Sequence, residues 1–217
     1  MLKLIKKEIK LTLHPTAFIF PLFAALVFVP NYPYEVIFFF SALSVYFTCM
    51  QSRENEDLLF TCTLPVRKSQ IPLARILTAA ALQVCVLFLA GIFGIIKEAL
   101  LPEMIYNQAG ISANIVLIAN GAILLGAFNL LFFPKYYKNP NKIGPPFVLC
   151  AIITFILIGI FIILRHATSL YSITLNGKNT ENLGAKLIAF CIGILFYFVT
   201  TFIACRRSAK NFVKTDL

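Results

Sequence analysis

Apolar residues fall along this chain in long runs, broken by short clusters of charge, proline and polar side chains. The hydrocarbon core of a bilayer takes about 20 residues of helix. Six runs approach that length: about Pro15 to Val29, Tyr34 to Met50, Leu73 to Ile96, Ala113 to Phe133, Phe147 to Leu164, and Leu187 to Cys205. The pattern predicts an all-α polytopic membrane protein with six transmembrane helices. The first run is short, although Leu11 and Leu13 extend it. Pro21 lies within it and removes a helical N–H, so a kink is expected there. Asn31-Tyr-Pro33 joins the first two runs as a tight hairpin, and tyrosine and proline suit that interfacial level.

Residues 1–13 carry a different pattern. On a helical wheel Leu2, Ile5, Ile9 and Leu13 share one face, and Lys3, Lys6, Lys7 and Lys10 share the adjacent one. This predicts an interfacial amphipathic helix resting on the membrane surface before the chain turns inward. Residues 14–217 then form a single six-span domain.

The segment 51–72 interrupts the apolar pattern differently again. It carries Arg53, Glu54, Glu56, Asp57, Arg67 and Lys68. Burying one charge at mid-membrane costs about 2.5–3.5 kcal/mol, so six place this stretch in water or against a partner. Yet it also holds Leu58, Leu59, Phe60, Leu64 and Ile71, which suggests a docking surface.

Composition agrees with the spans. The chain is 59% hydrophobic and 13% charged, against about half and a quarter for soluble domains, and its mean hydropathy is +0.86. The net charge of +10 would suggest nucleic acid in a soluble protein, but here the basic residues flank apolar runs. In that position they set topology and meet anionic lipid headgroups, so no nucleic-acid partner is expected. With the N-terminus inside, the inner segments hold Lys3, Lys6, Lys7 and Lys10; Arg53, Arg67, Lys68 and Arg75; Lys135, Lys138 and Lys142; and Arg206, Arg207, Lys210 and Lys214. Only Lys97, Arg165, Lys178 and Lys186 remain outside. Both termini are therefore expected to be cytoplasmic.

The outer loop from about His166 to Lys186 is polar, with Asn176-Gly177 as a turn. Asn179-Thr-Glu181 does not form a glycosylation sequon. The N-terminal run, interrupted by Pro15, Pro21 and Pro30, does not read as a cleavable signal, and no acylation motif is expected. The six cysteines form no CxxC pair and read as small buried hydrophobes, with neither disulfides nor a metal site expected.

Signatures of chemistry are sparse. His14 and His166 fall at opposite membrane faces, and the sequence contains no HExxH, Gly-rich phosphate loop or paired intramembrane carboxylates. An enzyme is not expected. Glu35, Lys97, Glu98 and Arg165 all lie at span ends, so no span has an ionisable group near its middle. Ion-coupled carriers usually need such groups, so the energy for any transport is expected from outside the chain. The polar residues within spans are Gln83, Asn114, Asn120 and Asn129. They read either as interhelical hydrogen-bonding groups or as the lining of a substrate pathway. Ala90 with Gly94, and Ala122 with Gly126, permit close helix contact.

Three stretches together resemble the ABC type-2 permease family, the transmembrane subunits of ABC exporters. They are Glu54-Asn-Glu-Asp-Leu-Leu-Phe60 followed by Thr63-Leu-Pro-Val-Arg-Lys-Ser-Gln-Ile71; Phe133-Pro-Lys-Tyr-Tyr-Lys138 with Lys142-Ile-Gly144; and the tail Ser208-Ala-Lys-Asn-Phe-Val-Lys-Thr-Asp-Leu217. In the first, Arg67 directly follows Val66, where the family's run carries a serine.

The resemblance implies a half-channel that pairs with a second permease, identical or not, and with separate ATPase subunits. ATP and Mg would be bound by those subunits, and no cofactor by this chain. Arg53 to about Cys62 would form the coupling helix. Glu54, Glu56 and Asp57 would meet basic residues of the ATPase, and Leu58, Leu59 and Phe60 would fill its apolar groove. Leu64, Pro65, Arg67 and Lys68 complete the implied docking segment. The cargo would be a peptide, an antimicrobial or a lipid-like molecule crossing the plasma membrane. The residues alone also fit an ATP-independent carrier or a non-transporting scaffold that recruits a cytoplasmic protein.

Overall fold

The computed structural model describes residues 1–104 and 106–215. About four-fifths of these residues are helical, and none lies in a strand. Five helices are long and apolar enough to cross a membrane: α3 (Val36–Glu54), α5 (Gln70–Leu100), α6 (Ile115–Tyr136), α7 (Gly144–Ala167) and α8 (Leu183–Val213). A short helix, α4 (Asp57–Thr63), separates α3 from α5.

A bent pair, Leu2–Thr12 and Thr16–Phe28, meets at 100° and is a sixth candidate crossing when counted as one span. Helix α1 (Leu2–Lys7) continues into a wider π-type turn over Glu8–Thr12. The bend follows, where Leu13 is extended and Pro15 disfavours a helical residue before it. His14 Nδ1 accepts from the Thr16 N–H at 3.2 Å, where the next helix begins. Helix α2 (Thr16–Ile19) runs into a 3₁₀ stretch over Phe20–Phe28.

Pro21 stands in the first turn of the 3₁₀ stretch, so the irregularity expected there coincides with the change from α to 3₁₀ winding. The tighter winding also lengthens the span. At about 2.0 Å per 3₁₀ residue and 1.5 Å per α residue, its thirteen residues reach ~24 Å instead of ~20 Å.

Helix α6 is the centre of the bundle: 67% of its most apolar window is buried, against 22% for α7. Along most of its length it lies against α8. Glycine permits this approach. A methyl group built on Gly193 of α8 would lie 2.7 Å from the Ala119 carbonyl oxygen and 2.8 Å from its Cα.

The bundle has two unlike ends. The proximal end carries α1, α4 and the C-terminus of α8. Five rings, Phe132, Phe133, Tyr136, Tyr137 and Phe212, are fully buried there, and Tyr137 meets Phe212 edge-on. Lys68 donates to the Thr215 carbonyl at 2.6 Å and lies over the Phe212 ring, tying the segment after α4 to the end of α8.

At the distal end, asparagines stitch residues 107–114 to residues 175–179. Asn176 accepts from the Ser112 backbone N–H and hydroxyl, at 2.9 and 2.7 Å. Asn114 donates to the carbonyls of Leu175 and Gly177, and its own side chain caps α6.

Candidate coupling site

Two cations and two anions converge at the proximal end. Arg75, five residues into α5, is 2% exposed. Its Nε donates to Glu8 at 2.8 Å and its Nη2 to Asp57 at 2.6 Å. Its Nη1 donates to the Ser52 hydroxyl at 2.7 Å and to the Tyr136 hydroxyl at 3.2 Å. Lys7 pairs with the other oxygen of Asp57, with Glu8 at 3.2 Å, and donates to Thr61 at 2.8 Å. One guanidinium thus ties the π-turn after α1 to α3, α4, α5 and α6.

A buried charge persists only when paired and hydrogen-bonded. Here the charges sum to zero and the Arg75 fork is used on three sides. Burial alone would raise the Asp57 carboxyl, but Arg75 and Lys7 outweigh it and hold the group below the usual carboxylate range.

Local backbone explains how Asp57 reaches this point. Helix α3 ends at Glu54, and Glu56 adopts a left-handed conformation, φ 49°. That conformation costs a non-glycine residue about 1–2 kcal/mol. The turn lets α4 start in a new direction with Asp57 in its first turn, aimed at Arg75.

Helix α4 consequently has two faces. Asp57, Leu58 and Thr61 point inward, whereas Leu59 and Phe60 are 45% and 54% exposed. Glu54, Glu56, Arg53, Pro65 and Arg67 are exposed beside them, and Leu64 and Lys68 are partly covered. Of the residues singled out for docking, Asp57 and Leu58 therefore serve the interior. A cleft of about 250 Å³ runs between Arg53, Glu56, Leu59 and the loop residues Pro140 and Asn141.

The lysines of α1 divide similarly. Lys3, Lys6 and Lys10 are exposed, and Lys7 is turned into the ion cluster. Leu4, Glu8 and Thr12 form the buried stripe, while Leu2 and Ile9 of the apolar face are open.

The four polar residues within spans separate into three places. Gln83 and Asn129 exchange two amide hydrogen bonds, at 2.8 and 2.7 Å. Tyr197 donates to Gln83 at 2.8 Å and Asn129 donates to Thr201 at 3.1 Å, so this network joins α5, α6 and α8. Asn114 is the helix cap already described. Asn120 lies nearer the distal end beside Glu35 and Tyr171. In this conformation Gln83 and Asn129 are satisfied by protein groups.

Glu8, Ser52, Arg75 and Tyr136 were not singled out from the sequence. Two signals pointed to them. Glu8 is the one acid among the N-terminal lysines and lies in helical register with Leu4 and Thr12. Arg75 stands two residues inside the start of the third apolar run, beyond the other basic residues of that flank.

A family model described as ABC-2 family transporter protein matches residues 3–207. The chain belongs to that family and is an ABC-2 type permease, a multi-pass membrane component of an ABC transporter. No curated protein matches the chain, and no solved structure does.

Proposed function

We propose that this chain is the membrane-embedded subunit of an ATP-driven exporter and that a separate ATPase subunit grips it through α4. The observation carrying this reading is the two-faced α4. Its inner face is pinned by Asp57 to Arg75, and its outer face offers Leu59 and Phe60 between exposed charges. An exposed apolar pair on a rigidly held short helix suits a partner's groove. Force applied to α4 would pass through Arg75 into α5 and through Glu8 into α1.

ATP and Mg would sit on the partner, and the N- and C-termini would lie on its side of the plasma membrane, in the cytoplasm. A second permease would complete the pathway. Its cargo would be a peptide, antimicrobial or lipid-like amphiphile, in keeping with the apolar groove of about 350 Å³ between α5, α6 and α8.

Co-purification of the tagged chain from its native membranes, read by mass spectrometry, tests the docking. An ABC ATPase subunit should accompany the wild type and be lost from Leu59→Asp with Phe60→Asp. Retention of the ATPase by that double variant would refute the assignment of α4. Flux through the purified chain in liposomes under an ion gradient alone would support an autonomous carrier instead.

A further inference from the structure

Glu35 lies at the distal end, immediately before α3, with no exposed surface. Neither of its carboxyl oxygens has a hydrogen-bond partner among the described residues, and neither has the Asn120 amide nitrogen beside it. The 107–114 segment rests directly on this carboxyl. A methyl group built on Gly110 would lie 3.0 Å from Glu35 Oε2, so a side chain there would fit only if the carboxyl shifted by a few tenths of an ångström. An ionised carboxylate without partners or water is costly, and the buried group responds by holding its proton.

The surrounding charges do not offset that cost. The titratable side chain facing Glu35 is Tyr171, from the turn after α7. Lys97 of α5 is turned to the Val27 carbonyl and the Tyr34 hydroxyl. Glu98 is held by Asn179. Among the described residues, no cation pairs with Glu35.

We propose that Glu35 is a proton-binding site that locks the 107–114 segment over the distal end of the bundle. In the closed form the carboxyl is the neutral acid. When the segment lifts, water reaches the group, the O–H bond breaks and the proton passes to the medium on that side. The charge bias along the chain assigns that side to the exterior, so external acidity would favour closure.

The sign follows from burial, which pushes the carboxyl up to about 7. An open, hydrated Glu titrates near about 4.3. Between those values the closed form binds more protons, so opening grows with pH, by up to about tenfold per unit. Above about pH 7 both forms are ionised and the dependence levels off.

Hydrogen–deuterium exchange of the full chain in lipid nanodiscs, corrected for intrinsic exchange at each pH, measures the opening. Peptides covering 107–117 should lose protection severalfold per pH unit between pH 5 and 7. Glu35→Gln, which mimics the neutral acid, should stay protected and flat, and Tyr171→Phe should keep the wild-type slope. A flat wild-type profile, or an unchanged slope in Glu35→Gln, would overturn the proposal. Infrared difference spectra of the wild type provide a readout that does not depend on the variant folding. They should contain a protonated carboxylic acid at pH 6 that is lost on alkalinisation, and its absence would also overturn the proposal.

Discussion

Arg75 and Asp57 stand 18 positions apart in sequence and meet in an ion pair of 2.6 Å, buried where α4 docks on α5. This contact, with Glu8 on the opposite side of the same guanidinium, turns the charged segment between two spans into a fixed part of the bundle.

Removing Arg75 should therefore cost more than its flanking position suggests. Arg75→Met leaves Glu8 and Asp57 buried with only Lys7 between them, and breaking such a group costs about 3–5 kcal/mol. Adding Glu8→Gln leaves Lys7 and Asp57 as a neutral pair, so the double variant should regain part of the loss. Thermal unfolding in detergent, followed by circular dichroism, reads this recovery. Equal additive losses would mean that Glu8 and Arg75 act independently.

Acid should release α4. The Asp57 carboxyl is held below its ordinary value, so its contribution is complete above about pH 4 and is lost as pH falls through the folded-state value. Hydrogen exchange over residues 55–68 should stay slow at neutral pH and accelerate in strong acid. Asp57→Asn should exchange fast at every pH.

The left-handed Glu56 makes a third test. Glu56→Gly removes the cost of that conformation, about 1 kcal/mol, without touching a buried contact. The folded chain should unfold at the same or slightly higher temperature. A loss of several degrees would mean that the Glu56 side chain is itself anchored.

The amide pair in the middle of the bundle is a structural clasp in this conformation. Gln83→Leu alone leaves the Asn129 amide and the Tyr197 hydroxyl short of partners, at about 1–2 kcal/mol. Gln83→Leu with Asn129→Leu should cost less than the sum of the single substitutions. Transport measured on the same variants separates a clasp from a pathway: a lining role would change cargo preference while leaving stability intact.

Gly193 tests the contact between α6 and α8. Gly193→Leu drives a side chain into the Ala119 backbone, where neither helix can yield without separating. Expression of folded protein should fall sharply, whereas the same substitution at Gly159, which has open space around it, should be tolerated.

The class of fold was legible in the chain because a bilayer imposes a one-dimensional rule. A spanning helix must satisfy its backbone internally and be apolar for about 20 residues, and both conditions are written in consecutive positions. The five long helices, the amphipathic start and the charged segment 51–72 follow from that rule. So does the exposure of Leu59 and Phe60, once α4 is a helix beginning at Asp57.

What the tertiary structure decided is pairing. Glu8, Asp57 and Arg75 look like ordinary flanking charges until three separate elements meet, because an ion pair is a property of two places and not of one residue. The same holds for Gln83 with Asn129, and for Glu35, whose isolation depends on Gly110 lying against it. Pro21 marked an irregularity, but the 100° turn fell at Leu13 to Pro15, where α1 leaves the bundle's end and the chain enters the first span. Local sequence set how each segment winds; which charge each segment buries was settled only when the helices came together.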